Sequence, residues 1–122
     1  MLYQKHIILV GETQQLADFV PSLEKADIQV TMVTAIDKVL VTTNNVKPAA
    51  IVFILTRYWD DITRFVDALR KNVEFAETPV LYVGSLIEGE DQRVLHQKGV
   101  RTLTLGPLLP QEVVRYIVDM IK

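Results

Sequence analysis

The sequence predicts a doubly wound α/β fold: one five-stranded parallel sheet in the order 2-1-3-4-5, flanked by helices. Two observations carry this. Five short apolar runs recur along 122 residues, each followed by a helix-compatible stretch. Three of those runs are apolar throughout, as strands covered on both faces by helices are.

The first run is Ile7-Ile8-Leu9-Val10. After it, Leu16, Phe19, Val20 and Leu23 fall on one helical face, with Thr13 placed to cap the start. Pro21 lies inside that stretch and is expected to kink it or split off its last turn. The second run spans Ile28 to Val33, where Ile28, Val30 and Met32 alternate with polar residues. Thr34 and Asp37 resemble a capping arrangement ahead of Val39 and Leu40. The third run, Ile51 to Leu55, precedes an apolar stripe of Ile62, Phe65, Val66 and Leu69, with Asp60 or Asp61 expected as its cap. The fourth run is Val80 to Val83. A more polar helix over 88–98 follows, its buried side expected at Val94 and Leu95. The fifth run is Thr102 to Leu105. Pro110 then opens a last helix lined by Val113, Val114, Ile117, Val118 and Ile121.

Composition narrows the function classes. Residues 1–122 amount to one domain, 49% hydrophobic and 23% charged, as ordinary globular domains are. Thirteen basic side chains against fifteen acidic ones leave a net charge of −2, so neither nucleic acid nor an anionic membrane is the expected partner. With no cysteine, a disulfide framework, a thiolate metal site and a cysteine nucleophile are excluded together. The apolar run before Gly11 is too short for a signal peptide or a membrane span, and a cytoplasmic location is expected.

In a doubly wound sheet, function sits outside the carboxyl ends of the strands, near the switch in strand order. The loops after Val10, Leu55, Val83 and Leu105 are therefore the places to search. Four short patterns stand in register along the chain: Lys47-Pro48 before the third strand, Thr78-Pro79-Val80 opening the fourth, His96-Gln97-Lys98-Gly99-Val100 before the fifth, and Gly106-Pro107 after it. Together they resemble the receiver family of response regulators, which is flavodoxin-like (CheY-like) in fold, over the whole chain.

The resemblance implies a specific chemistry and places it. Receivers accept a phosphoryl group on an aspartate ending strand three. A Mg²⁺ ion held mainly by carboxylates assists the transfer. An acidic pair after strand one holds the metal, a Ser/Thr after strand four hydrogen-bonds the phosphoryl group, and a lysine after strand five neutralises it. Here the acidic pair falls on Gly11 and Glu12, and the nucleophile position on Ile54, followed by Leu55. The Ser/Thr position falls on Gly84, beside Ser85; the lysine position on Gly106; and the aromatic switch position in strand five on Leu103. Residues 49–56 contain no Asp or Glu, so shifting the alignment by one residue restores nothing. The resemblance thus implies a degenerate pseudo-receiver with no phosphoacceptor, no catalytic residue and no cofactor, its nucleophile position apolar and packed shut.

Other candidates are weighed against plainer readings. Asp60 and Asp61 lie roughly 15–20 Å of extended chain beyond the nucleophile position. They could return toward Glu12 as a weak metal site, but capping a helix is the favoured role. Gly11-Glu12-Thr13 lacks the spacing of a phosphate-binding loop and reads as a tight turn. His6 and His96 have no acid or second histidine at ligand spacing, and Ser85 has no base partner, so all three read as structural. Tyr58-Trp59, two large aromatics on a predicted loop, are candidates for a binding anchor.

From the resemblance, the fourth helix, fifth strand and fifth helix form the expected docking or homodimer face. It would present Glu88, Glu90, Asp91, Arg93, Gln97, Arg101, Arg115 and Asp119. The leading expectation is a non-catalytic signalling module that contacts a protein partner or an attached output domain. The alternative is a flavodoxin-like domain binding a small ligand at the strand ends, where Gly11, Gly84 and Gly106 would leave room.

Overall fold

The structure, a computed structural model, describes residues 5–54, 59–84, 89–104 and 110–121. Five strands, β1 (Lys5–Gly11), β2 (Ile28–Val33), β3 (Ala50–Ile54), β4 (Val80–Gly84) and β5 (Val100–Thr104), pair in parallel in the order β2-β1-β3-β4-β5. The helices are α1 (Thr13–Ala17), α2 (Val20–Lys25), α3 (Val39–Val46), α4 (Trp59–Lys71), α5 (Gly89–Gln97) and α6 (Pro110–Ile121). The three wholly apolar runs occupy the three central strands. Every residue of β3 and β4 is buried, as is β1 from Ile7 to Gly11.

Side chains alternate to opposite faces of a strand, so the sheet divides the core in two. On one face Ile8, Val10, Ile51, Phe53, Val80 and Tyr82 pack under α3, α4 and α5 through Val39, Ile62, Phe65, Val66, Leu69 and Leu95. Phe53 and Phe65 meet edge to face, centroids 5.4 Å apart. On the other face Ile7, Leu9, Val52, Ile54, Leu81 and Val83 pack under α1, α2 and α6 through Leu16, Phe19, Leu23, Val113, Val114, Ile117 and Ile121. Val118 of the last helix is partly buried against the same cluster. Burying each such side chain stabilises the fold by about 1.5–3 kcal/mol relative to exposure.

Pro21 divides the first helical stretch into α1 and α2 by standing in the first turn of α2, where its missing N–H costs no hydrogen bond. Lys47 ends α3 in a left-handed conformation, its N–H donating to the Thr43 carbonyl at 2.9 Å. That geometry avoids the right-handed helical region, which Pro48 disfavours for the residue before it.

Several local expectations are corrected. Thr13 is the first residue of α1; the N-cap is Glu12, with extended backbone and no side-chain cap bond. Thr34 and Asp37 form no cap. The chain instead turns through a short 3₁₀ segment, Ile36–Lys38, whose N-cap is Ala35, again without a side-chain cap bond. The Thr42 and Thr43 hydroxyls of α3 donate back to the Lys38 and Val39 carbonyls. Trp59 is helical rather than in a loop, so Asp60 and Asp61 lie within α4 and not before it. On the edge strand β2 the alternation fails at its end: Met32 is 46% exposed and Val33 is buried.

Candidate functional site

The strand register sets residues from four strands side by side at the carboxyl end of the sheet. Gly11 pairs with Ile54, Ile54 with Val83, and Val83 with Leu103. All four therefore belong to one row on the α1/α6 side. Gly84, one residue further along β4, pairs with Thr104 and is buried. The topology thus brings Gly11, Ile54, Gly84 and Leu103 to the same end of the sheet, beside the β1/β3 switch point.

The row is closed and apolar. Ile54 is 2% exposed and sits in the core cluster with Leu16, Val83 and Val113; Leu103 is half-buried against it. At Gly11 a Cβ would stand 2.6 Å from the Ile54 carbonyl oxygen and 3.1 Å from a Leu16 methyl, and φ is +157°. No side chain fits there without parting β1 from β3. The glycine at 11 therefore leaves no room for a ligand; the space is taken by the neighbouring strand. Glu12 is exposed and its side chain makes no cap bond.

These residues do not fit a Mg²⁺ ion, which requires several oxygen ligands. Position 11 offers no side chain, position 54 a buried hydrocarbon, and position 12 one exposed carboxylate. Among the described residues no group of three His, Cys, Asp or Glu is placed to hold a metal ion. Gly106, Ser85 and Tyr58 lie outside the described residues, as do the side chains of Trp59, Asp60 and Asp61.

The histidines are engaged in local structure. His6 Nε2 lies 2.6 Å from the Thr31 hydroxyl, tying β1 to the edge strand β2, and burial lowers its pKa from the ordinary histidine value. His96 Nε2 lies 3.1 Å from the Thr102 hydroxyl, which also accepts from Gln92 Nε2 at 3.0 Å. Burial, and after it the charge of Asp91, raises the pKa of the Tyr82 phenol.

Those bonds to Thr102 fasten α5 along the outer strand β5. The surface so formed carries Arg93, bonded to Glu90 at 2.7 Å, and the exposed Arg101; Arg115 and Asp119 are exposed on α6. A hollow of about 430 Å³ lies open on it, lined by His96, Gly99, Val100, Arg101, Thr102 and Tyr116. Thr102 and Tyr116 carry no signature in the sequence, since a lone threonine or tyrosine has none until strand and helix meet.

No family model matches the chain, and no curated protein sequence matches it. Solved structures do. The Vibrio cholerae chemotaxis protein CheY4 is similar at a TM-score of 0.81 and 15% identity, over 97% of this chain and 99% of its own. The non-phosphorylated HemR receiver domain of Leptospira biflexa is similar at 0.80 and 16%, over 98% and 95%. The BeF3-activated N-terminal receiver domain of Klebsiella pneumoniae RstA is similar at 0.79 and 15%, over 96% and 98%. At such identities the likeness is one of fold: the chain has the CheY-like receiver fold.

Proposed function

We propose that this chain is a non-catalytic signalling module of the two-component type that works by protein–protein contact and not by aspartyl phosphorylation. The observation that carries the reading is the Gly11–Ile54 pair. Where receivers need a carboxylate on each of these neighbouring strands, the chain has a glycine pressed against its partner's carbonyl and an isoleucine 2% exposed. Phosphoryl transfer to aspartate needs a nucleophile and a metal site, and neither is assembled by these residues.

The contact surface is the one made by α5, β5 and α6. The open hollow beside Tyr116 and the exposed Arg101 support it, as does the fastening of α5 to β5 through Thr102. The occupant is a protein partner, an attached output domain or a second copy of the chain. The net charge of −2 speaks against nucleic acid, and no helix among the described residues is long and apolar enough to cross a membrane.

The test is incubation with acetyl phosphate, or with beryllofluoride, in the presence of Mg²⁺. The expected result is no covalent label by intact mass and no Mg²⁺-dependent chemical-shift change at Gly11, Ile54 or Gly84. Stoichiometric labelling would overturn the proposal.

A further inference from the structure

One charged side chain is engaged entirely with backbone. Arg70, in the last turn of α4, directs its guanidinium at four main-chain carbonyls. Nη1 donates to Thr78 O at 2.7 Å and to Phe75 O at 3.3 Å; Nε donates to Lys98 O at 3.3 Å; Nη2 donates to Gly99 O at 3.4 Å. Two of these carbonyls belong to the segment leading into β4, and two to the turn between α5 and β5. Burial lowers the pKa of this guanidinium from its ordinary value, yet an arginine remains charged in proteins.

The turn it grips is shaped to receive it. Gly99 stands at φ +79°, the left-handed conformation that ends α5, with its N–H donating to His96 O at 3.0 Å. A Cβ there would lie 3.4 Å from Arg70 Nη2, in ordinary contact, so the constraint on residue 99 is its backbone conformation rather than crowding. A second tie runs parallel: Lys98 Nζ donates to Asp67 Oδ1 at 2.6 Å, from the same turn to the preceding turn of α4. Residues 67 and 70 are neighbours on one helix face, so α4 holds the α5–β5 turn at two adjacent points.

We infer that Arg70 is a conformational clamp: it fixes the carboxyl end of α5 and the start of β5 to α4, so that the α5–β5 part of the proposed contact surface is held in one preset arrangement. Bonds to carbonyls suit this task, because any rotation or slide of α5 must break Nε and Nη2 contacts together, and a charged donor left half-buried without acceptors is costly. The inference deepens the proposed function by naming how its contact surface is kept constant, and in that respect rests on it.

The clamp is tested by backbone amide exchange and NMR relaxation dispersion on the whole chain. Arg70→Met is expected to speed exchange at Lys98, Gly99 and the last turn of α5 at least tenfold, with β1 and β3 amides changing less than twofold. Dispersion absent from α5 in the parent is expected to appear in the variant. Arg70→Lys, which keeps the charge but not the fork, should show the same local effect in weaker form, and serves if Arg70→Met does not fold. Asp67→Asn should give a smaller acceleration confined to the same turn. Equal acceleration throughout the sheet would overturn the clamp by making Arg70 a general stabiliser, and so would unchanged exchange at Lys98 and Gly99. Neither result bears on phosphoryl labelling, so the two proposals fail separately.

Discussion

Gly11 and Ile54 stand opposite each other across the β1–β3 pair, and a Cβ on residue 11 would lie 2.6 Å from the Ile54 carbonyl oxygen. The backbone of β3 occupies the space into which a side chain at position 11 would project. Under the proposed function, these are the two positions that the receiver resemblance assigns to acids.

Gly11→Ala should therefore destabilise the protein by about 1–3 kcal/mol, since the added methyl meets backbone that cannot turn aside. Urea unfolding of the parent and the variant measures the difference. Equal midpoints would mean that β1 and β3 separate at little cost, and the close approach would lose its significance.

Ile54→Asp places a carboxyl group where the receiver resemblance assigns the nucleophile, but inside an apolar cluster of Leu16, Val83 and Val113. Burial raises the pKa of such a group, and a buried charge without a partner costs about 3–5 kcal/mol. The variant is expected to lose stability to that extent and to remain unlabelled by acetyl phosphate, because Glu12 cannot hold Mg²⁺ by itself. Covalent labelling of the variant, read by mass, would show that the metal site survives in another form.

How much of this was legible depended on where the chemistry resides. Ile7–Val10, Ile51–Leu55 and Val80–Val83 announce central strands because burial on both faces removes any need for polar alternation. Met32 misled because β2 is an edge strand, and the cover over its face gives out before the strand does. Thr13 and Asp60 looked like caps because helix starts are marked by residue types that also serve inside the first turn. Arg70 left no trace, since its partners are carbonyls from residues 75, 78, 98 and 99, and every residue has a carbonyl. Gly99, after a helical stretch, was the single sign that a tight turn stood there. At the candidate site, the absence of Asp and Glu from residues 49–56 could be read in the sequence, but the closure of Gly11 on Ile54 needed the strand register.

On the proposed contact surface, Arg101→Glu should be nearly silent for folding. The side chain is exposed, and such substitutions usually fall within about 0.5 kcal/mol. Reversing its charge should nevertheless weaken self-association or partner binding through that surface. Sedimentation equilibrium across a concentration range, with Met32→Ser on the opposite edge strand as control, reads the first. If Arg101→Glu matches the parent while Met32→Ser lowers association, the contact belongs to the β2 edge instead.

His6 ties the stability of the β1–β2 pair to pH. Burial lowers its pKa in the folded chain, so the unfolded chain binds a proton more readily, and stability rises with pH wherever the two differ. The contribution is complete above the unfolded histidine value of about 6.5 and is lost as pH falls through the lower folded value. Protonation also removes the acceptor role of Nε2 toward the Thr31 hydroxyl 2.6 Å away, leaving donation as its only bond to that oxygen. Thermal unfolding between about pH 7.5 and pH 5 should therefore lower the melting temperature of the parent more than that of His6→Gln, which cannot titrate. Carboxylates contribute to both proteins alike, so the difference between the two curves isolates His6. Parallel curves would mean that its ring is as easily protonated in the sheet as in the unfolded chain.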